Sequence, residues 1–514
     1  MSEMWATSGL DLHLELHEPR PDRPGGRAGG GLRARLEAAL RDAARTGQLA
    51  PGTRLPSSRA LAADLGIARN TVAEAYAQLV AEGWLSARRG SGTVLADRPP
   101  AAEPAAPAAR PPHSAPPRQP RYDLRPGSPD LSLFPRPGWL AAARRALNTA
   151  PAQALGYADP RGRPELREAL ASYLARARGV RAHPGRIVIC SGFAQGLALL
   201  SAVLRARGTR ALAIEACGQP SYREVAQASG LDLALLPVDE AGAAVHLLPG
   251  SGAGAALLTP AHQFPLGAVL APGRRTQAVG WARDTGGVVI EDDYDGEFRY
   301  DRQPVGAMQA LAPEHVVYAG SASKSLAPGL RLGWLALPGH LVDDVAAARA
   351  LADRQGSAFD QLTLAEFIGS GQYDRQVRRA RLAYRRRRDR LVAALRQHAP
   401  LVRVTGIAAG LHALLDLPPG SQEDDLVARA ARRGLAIEGL GEYCAPGHPR
   451  GPALVLGYGT PPEHSFTGAL ARLCAVLADF CLPAVTACCA PRSGCESSHL
   501  LTWNHGSNST ATGR

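Results

Sequence analysis

The chain has 514 residues, a formal net charge of +12 and a pI of about 9.7, and its length predicts two or more domains. The positive charge is compatible with nucleic-acid binding but does not establish it. The sequence has no apolar run of about 18 residues and no basic-then-apolar start, so we expect a cytoplasmic protein with neither a membrane span nor a secretion signal.

The segment 10–96 predicts a small α+β unit of three helices followed by a hairpin. Ser57 and Ser58 can cap a short helix that runs through Leu65 and ends at Gly66. The other predicted helices span 32–46 and 70–83, and the two predicted strands span 84–87 and 93–95.

Two short helices followed by a basic hairpin are typical of a winged helix-turn-helix. The last helix would enter the major groove with its first residues facing base edges, while other basic residues would contact phosphates. The candidate DNA-binding residues are Arg54, Ser58, Arg59, Arg69, Asn70, Thr71, Arg88, Arg89 and Gly90. A helical protein-binding module is the alternative, because residues 1–100 carry 13 arginines against 11 acidic residues.

Several segments of this unit resemble the GntR family of bacterial transcription factors. They are Pro51–Arg59, Leu65–Val72 and Gly83–Leu85, and the wing Arg88–Thr93 also fits. The resemblance covers about residues 30–96 and implies binding to double-stranded operator DNA.

A proline- and alanine-rich segment, 97–121, predicts an extended linker, because such a composition cannot form a core. It separates the small unit from a long one, 122–481, and residues 482–514 predict a disordered tail. Without a secretion signal we expect the eight cysteines to be reduced thiols. The sequence has no pair of CxxC motifs, so we predict no metal site.

The long unit alternates helical segments with short apolar strands, and we find no internal repeat in it. This alternation indicates an α/β fold with a mainly parallel, buried sheet. The clearest strands are predicted over 186–190, 211–214, 255–259, 287–290 and 316–318.

Lys324 is the single lysine among 58 lysine and arginine residues. Arginine can replace lysine for surface charge or phosphate binding, but its protonated guanidinium forms no stable imine. The chain therefore keeps one side-chain primary amine, whose characteristic chemistry is a Schiff base with a carbonyl substrate or with pyridoxal phosphate (PLP). Chance survival of one lysine under GC-rich coding bias is the alternative.

The ring of PLP can be contacted by three side chains, those of Asp292, Tyr294 and Tyr222. Asp292 and Tyr294 share a face at the end of a predicted strand, so Asp292 can bind the pyridine nitrogen and Tyr294 the ring hydroxyl. A metal site or a solvated strand end is the alternative for this acidic segment. Tyr222 follows another strand and can stack on the ring, although a tyrosine in such a place also serves plain packing.

The phosphate of PLP can be bound where a helix begins after a strand. Free backbone N–H groups and the helix dipole favour an anion there, and an arginine fork adds two parallel hydrogen bonds. The candidate residues are Ser191, Gly192, Phe193, Ser321, Ser323 and Arg331.

Four segments of the long unit resemble the fold-type-I, aspartate aminotransferase-like PLP enzymes: 156–162, 259–267, 291–300 and 321–333. The resemblance covers about residues 122–480. A GntR-type head joined to such a body is similar to the MocR family of bacterial regulators, which includes the PdxR-type regulators of PLP synthesis. It implies PLP as cofactor and a homodimer in which each head docks on the partner's body.

Two departures from true transaminases disfavour turnover: the missing arginine for the substrate carboxylate and an altered asparagine-proline segment. Val455 stands where this fold carries that arginine, and Glu224 stands where some amino-acid-sensing relatives carry an arginine. Phe264 replaces an asparagine, so His262 or Gln263 would have to contact the cofactor ring. We predict a PLP-responsive transcriptional regulator, with control of vitamin B6 metabolism as one role. The alternatives are an active aminotransferase with a DNA-binding appendage and a sensor of PLP together with an amino acid or amine.

Arginines recur along the segment from Arg375 to Arg390. One interpretation is a solvated helix face that packs with acidic partners. The other is a secondary contact for DNA phosphates, which would add to the salt dependence of DNA binding.

Overall fold

The computed structural model describes residues 31–88, 92–97, 120–300, 305–447 and 450–481. The chain divides into two compact units, Met1–Arg118 and Gln119–Arg514. The predicted tail, most of the predicted linker, the wing residues Arg89 and Gly90, and the side chain of Arg88 lie outside the described part.

The N-terminal unit consists of three helices and an antiparallel hairpin, which confirms the predicted winged helix-turn-helix. Its elements are α1 (Leu32–Arg45), α2 (Ser58–Leu65), α3 (Arg69–Ala81), β1 (Leu85–Arg88) and β2 (Gly92–Leu95). Ser57 caps α2, since its Oγ accepts a hydrogen bond from the backbone N–H of Ala60 at 3.2 Å. Gly66 ends α2 with a left-handed φ of 64°, as a glycine at this position readily does.

The core of this unit is formed by apolar side chains that all three helices contribute. Leu36, Leu61 and Val72 are fully buried in it, together with Leu85 and Leu95 of the hairpin. Each buried leucine or valine stabilises the fold by about 1.5–3 kcal/mol. This packing fixes α3 against α1 and α2 and leaves the first turn of α3 facing solvent.

The second unit contains ten helices within the described residues. They are α4 (Arg136–Thr149), α5 (Pro164–Arg178), α6 (Phe193–Ala206), α7 (Pro220–Ala228), α8 (Pro272–Thr285), α9 (Val342–Asp353), α10 (Ala358–Gly369), α11 (Gln372–His398), α12 (Glu423–Arg432) and α13 (Glu463–Cys481). In the part of the chain that the structure describes, no helix is both long and apolar enough to cross a bilayer.

A seven-stranded sheet forms the centre of the first lobe of this unit, in the order β4-β12-β11-β10-β9-β5-β6. Its strands are β4 (Ile187–Cys190), β5 (Ala211–Glu215), β6 (Asp232–Leu236), β9 (Ala255–Leu258), β10 (Val288–Asp292), β11 (Val316–Ser321) and β12 (Gly333–Ala336). All are mutually parallel except β12, which pairs antiparallel with both neighbours. The predicted mainly parallel sheet is therefore confirmed, and β6 and β12 are the strands that the sequence analysis did not predict.

The second lobe is built on a four-stranded sheet of order β13-β14-β17-β16, packed against α11, α12 and α13. The remaining strands of the unit are β3 (Tyr122–Asp123), β7 (Val238–Asp239), β8 (Gly242–Ala243), β13 (Arg403–Thr405), β14 (Ala413–Asp416), β15 (Leu435–Ala436), β16 (Glu438–Gly439) and β17 (Ala453–Leu456).

The expectation that all cysteines are free thiols is wrong for one pair. Cys217, just after β5, forms a disulfide with Cys444 of the second lobe. The two residues lie 227 positions apart in sequence, and two backbone hydrogen bonds flank the bond: Ala445 N to Ala216 O at 2.8 Å and Gly218 N to Tyr443 O at 3.0 Å. The fold brings the two thiols together, a proximity that sequence spacing does not reveal.

Candidate functional site

The candidate site is a cavity of about 230 Å³ at the carboxyl edge of the seven-stranded sheet. Parallel strands end at the same edge, so residues that follow β5, β9 and β10 converge there. The second lobe closes the cavity with the segment just before β14. The lining residues are Gly127, Ile214, Glu215, Gly218, Gln219, Ser221, Tyr222, Leu257, Thr259, Phe264, Asp292, Tyr294, Lys324, Leu411 and His412.

Lys324 and Asp292 give this cavity its reactive groups. Burial lowers the pKa of the Lys324 ammonium, against the opposing attraction of Asp295 and Asp292. Burial also raises the pKa of the Asp292 carboxyl well above its usual range, with a further rise from Asp293. A lysine with a lowered pKa has more of the neutral amine that attacks a carbonyl carbon.

Aromatic groups surround the same space. Tyr222 lies at the start of α7 and interacts with the Asp292 carboxylate, while burial raises the pKa of its hydroxyl well above the usual value. Its ring packs edge-on against Phe193, with centroids 4.8 Å apart. Tyr294 and Phe264 also line the cavity, with their ring centroids 6.2 Å apart. These aromatic side chains offer apolar contact to a flat ring in the cavity.

The predicted phosphate site is built from the turn between β4 and α6. Gly192 adopts φ 88°, and an added Cβ there would lie 3.1 Å from the guanidinium of Arg331. An added Cβ at Gly333 would lie 2.8 Å from the Gly192 backbone, so these segments approach closely because neither has a side chain. Arg331 donates a hydrogen bond to the carbonyl of Ser191. Its guanidinium thus lies beside the free N–H groups at the start of α6.

Ser321 and Ser323 lie on the turn that carries Lys324 from the end of β11. Both are partly buried, and the Ser323 N–H is 3.4 Å from Ser321 Oγ. Lys324 Nζ donates to the carbonyl of Gly127, which brings the N-terminal segment of the unit to the cavity.

The structure places His262 and Gln263 away from the cavity surface. His262 Nδ1 lies 2.8 Å from Asp295 Oδ2, and Gln263 Nε2 donates to Glu215 Oε2 at 3.0 Å and to Cys217 O at 2.7 Å. Neither side chain is among the groups that line the cavity. Phe264, which the sequence analysis treated as the replaced position, lies in its wall instead.

Two titratable groups in the wall were not predicted. Glu215 ends β5 as Asp292 ends β10, so the shared-edge rule could have found it; burial raises the pKa of its carboxyl, and it accepts from Thr259 Oγ1 at 2.5 Å. His412 comes from the second lobe, and no sequence pattern marks it. Burial and then His262 lower its pKa well below the usual value, so its imidazole is neutral at pH 7.

Within the described residues, His262, Asp295 and His412 also form a group with metal-ligand character. Their ligand atoms lie within 4.8 Å of one another. The bond between His262 Nδ1 and Asp295 Oδ2 already pairs two of those atoms, so the group is explained as a hydrogen-bonded cluster.

The two positions at which related proteins carry an arginine, Val455 and Glu224, lie apart from the cavity lining. Val455 is fully buried in β17, opposite Leu414 and Glu438. Glu224 is exposed on α7. Neither position therefore supplies an arginine for a substrate carboxylate.

The N-terminal unit presents its candidate DNA-binding residues at the start of α3 and near the hairpin. Arg69 and Asn70 are exposed and Thr71 is partly buried at the start of α3. Arg59 is exposed in the first turn of α2, which begins at the partly buried Ser58.

Arg54 lies against the wing. Its side chain is exposed, and a Cβ at Gly92 would meet Arg54 Nε at 3.0 Å. A guanidinium beside a hairpin and an exposed first helical turn are the two features with which a winged helix contacts phosphates and base edges.

Comparison with known families assigns both units. Residues 32–95 match the family "Bacterial regulatory proteins, gntR family", and residues 127–447 match "Aminotransferase class I and II". The second match alone spans more than half of the chain.

Curated relatives extend over both units together. The chain is 32% identical over 471 residues to the HTH-type pyridoxine biosynthesis transcriptional regulator PdxR of Corynebacterium glutamicum, covering 90% of this chain and 98% of the relative. It is 34% identical to the HTH-type transcriptional regulator TauR of Rhodobacter capsulatus, covering 81% and 90%. It is 31% identical to the probable rhizopine catabolism regulatory protein MocR of Rhizobium meliloti, covering 87% and 95%.

Solved structures resemble the second unit. An archaeal alanine:glyoxylate aminotransferase superposes with a TM-score of 0.64 and 25% identity, covering 70% of this chain and 91% of that one. The Pyrococcus horikoshii kynurenine aminotransferase gives a TM-score of 0.63 at 24% identity with the same coverage, which shows a shared fold.

Proposed function

The chain belongs to the MocR family of bacterial HTH-type transcriptional regulators, and from this premise we propose that it is a PLP sensor that controls DNA binding. The observation that supports the proposal most directly is the pair Lys324 and Asp292 in one cavity, in a chain whose other unit is a GntR-type winged helix. The pyridoxine-related name of one relative leads us to propose genes of vitamin B6 metabolism as targets.

The residues of the cavity fit PLP by the chemistry of their groups. Bound PLP supplies an aldehyde that reacts with amines and an electron-withdrawing pyridine ring. Lys324 would attach the aldehyde carbon, Asp292 would bind the ring nitrogen, and Tyr222 would cover one face of the ring. Arg331 and the first N–H groups of α6 would bind the phosphate.

A sensor is favoured over a working aminotransferase by the residue at one position. Val455, buried in β17, stands where transaminases of this fold carry the arginine that orients an amino-acid carboxylate. Loss of a bidentate clamp costs both binding and the alignment that group transfer requires. The chain would therefore capture the cofactor and respond to it, with slow or no exchange of amino groups.

Regulation then requires two arrangements of the protein that differ in affinity for PLP. Capture of PLP shifts their populations only by that difference. If the two arrangements also differ in affinity for operator DNA, PLP changes operator occupancy.

The decisive experiment measures binding of the full-length protein to DNA upstream of its own and neighbouring genes, with and without PLP. Lys324→Ala serves as the unresponsive variant, and visible absorbance reports cofactor attachment. A PLP-dependent change in affinity or footprint that disappears in the variant supports the proposal. DNA binding that is indifferent to attached PLP contradicts it, and 2-oxo acid production from common amino acids would establish the aminotransferase instead.

We also propose that the protein is a homodimer. The second unit exposes five large apolar side chains in α4, the segment after it, and α9, and we propose that they lie at the contact between two copies of the chain. They are Leu140 at 61%, Leu147 at 53%, Leu155 at 58%, Tyr157 at 87% and Leu351 at 90%. Sedimentation equilibrium of Leu140→Asp/Leu147→Asp should give a monomer, whereas Leu401→Asp, exposed to 59% elsewhere, should remain a dimer.

A further inference from the structure

Two sets of arginines in α11 have different surroundings, and Arg388, Arg390 and Arg396 belong to neither set. Arg387 is buried: its Nη2 lies 2.6 Å from Asp130 Oδ2, its Nε lies 2.9 Å from Glu463 Oε2, and its Nη1 donates to Pro461 O at 2.8 Å. Arg381 Nε donates to Glu297 O at 2.7 Å. These two arginines hold the helix to its neighbours, so structure alone explains them.

The second group forms an exposed row that we call the basic stripe. At 100° per residue its members fall within about 120° of one another around the helix axis, on the face that points away from the core. The basic stripe consists of Arg375, Arg378, Arg379, Arg385 and Arg386. Leu382, exposed to 59%, lies at its centre, and Asp389 is the acidic residue at its end.

The charges of the basic stripe are largely uncompensated. Within the described residues Arg378, Arg379, Arg385 and Arg386 form no ion pair, and Arg375 donates to a backbone carbonyl, Ser370 O, at 3.0 Å. The nearby Asp374 is already paired with Arg176 at 2.8 Å. The interpretation of this run as a face that packs with acidic partners therefore does not hold for these side chains within one chain.

Helix stability does not account for the basic stripe either. Arg375 lies in the first turn of α11, near the positive end of the helix dipole, where a cation is unfavourable. Like charges three and four residues apart repel each other as well. A row that weakens its own helix is better explained by an external anion that it binds.

We propose that the basic stripe binds the phosphate backbone of DNA that flanks the site read by the N-terminal unit. From Arg375 to Arg386 the helix rises about 16 Å, a length along which one DNA strand carries about five phosphates. Exposed arginine guanidinium groups can donate two parallel hydrogen bonds to phosphate oxygens. Contact with the DNA backbone does not depend on the base sequence. Because the same chain carries a DNA-binding unit, flanking DNA reaches the stripe at high effective concentration.

The test uses the full-length protein and a footprinted upstream duplex. The duplex is prepared trimmed to the footprint and also extended by about two helical turns, roughly 20 bp, on each side. Affinity is measured over a series of salt concentrations for wild type and for R378Q/R379Q/R385Q/R386Q. A matched control, R205Q/R210Q/R403Q/R432Q, removes the same charge from four exposed arginines elsewhere on the unit.

The stripe variant should lose the extra affinity for the extended duplex, and its slope of log K against log salt should be less negative by about 0.9 per lost contact. It should bind the trimmed duplex as wild type does, and the control variant should behave as wild type on both. Equal slopes for the two variants on the extended duplex would overturn the proposal. So would a stripe variant that loses self-association without a change in slope, since the stripe would then contact a second copy.

The PLP response of the same samples is recorded separately. If PLP still changes the DNA affinity of the stripe variant, the proposed PLP sensing is retained, regardless of the salt dependence of its DNA binding. The two proposals therefore fail independently.

Discussion

Asp292 and Asp293 are consecutive residues with separate tasks: the carboxylate of Asp292 lines the cavity, whereas that of Asp293 lies 2.6 Å from Arg178 Nε. Asp293 also accepts from Tyr318 Oη at 2.8 Å, and both partners of its ion pair are almost fully buried. The alternation of side chains at the end of β10 produces this division. It offers a pair of isosteric variants that separate cofactor binding from stability.

Asp292→Asn should weaken PLP binding by about 10- to 150-fold, the loss expected for one charge-assisted hydrogen bond of about 1.5–3 kcal/mol. Asp293→Asn should leave PLP affinity nearly unchanged. It should destabilise the unit by about 3–5 kcal/mol, because the buried guanidinium of Arg178 loses its charged partner. Titration with PLP followed by absorbance, together with calorimetry, distinguishes the two. Equal loss of affinity in both variants would contradict the assignment of Asp292.

Arg331→Lys tests whether the planar pair of guanidinium donors contributes to PLP affinity at the phosphate site. Lysine keeps the charge but lacks the planar pair of donors, so we expect a loss of PLP affinity of about ten-fold and a larger loss in Arg331→Ala. Arg331 adopts φ 53°, and the same strain is present in both variants, which makes them comparable. Free inorganic phosphate should compete with PLP less effectively in Arg331→Ala than in wild type. Lysine and alanine variants that both bind PLP as tightly as wild type would show that neither the charge nor the geometry of Arg331 is used.

The elements that sequence reasoning identified are those with strong local signals. β10 is an unbroken apolar run followed by acids, so both the strand and Asp292 could be predicted. Lys324 stood out because no other lysine competes with it. Caps at Ser57 and Gly66 placed the ends of α2 to within a residue.

The features that were missed depend on contacts between distant segments. His412 reaches the cavity only because the second lobe folds over the sheet edge, and Cys217 meets Cys444 for the same reason. β12 has four residues between a turn and a proline-containing segment, too few to show a period. Local patterns do not encode such juxtapositions.

The disulfide should add stability to the second unit by joining its two lobes. Cys444→Ser should lower the free energy of unfolding by about 2–4 kcal/mol while the flanking backbone hydrogen bonds keep the lobes paired. A dithiol reductant should lower the Tm of wild type towards that of the variant and leave the variant unchanged. Cys474→Ala, which removes a free thiol, should respond to reductant as wild type does. A wild-type Tm indifferent to reductant would show that the bond does not contribute.

Glu291 should make the stability of the second unit depend on pH. It is fully buried on β10, accepts from the N–H groups of Met308 and Gln309, and burial followed by repulsion from Asp293 raises its pKa to about 7. The folded pKa exceeds the usual value of 4.5, so the folded state favours the protonated acid. Its contribution to stability is complete below pH 4.5 and is lost as pH rises through 7.

Comparison of wild type with Glu291→Gln isolates this dependence, since glutamine does not titrate. Between pH 5 and pH 8, wild type should lose about 2.5 kcal/mol of unfolding free energy relative to Glu291→Gln. The opposite sign is expected for Glu314→Gln, because hydrogen bonding to Arg186 lowers the pKa of Glu314 and its contribution is lost as pH falls. Calorimetry at several pH values measures both. Parallel pH profiles for wild type and Glu291→Gln would mean that the buried carboxyl does not change its charge in this range.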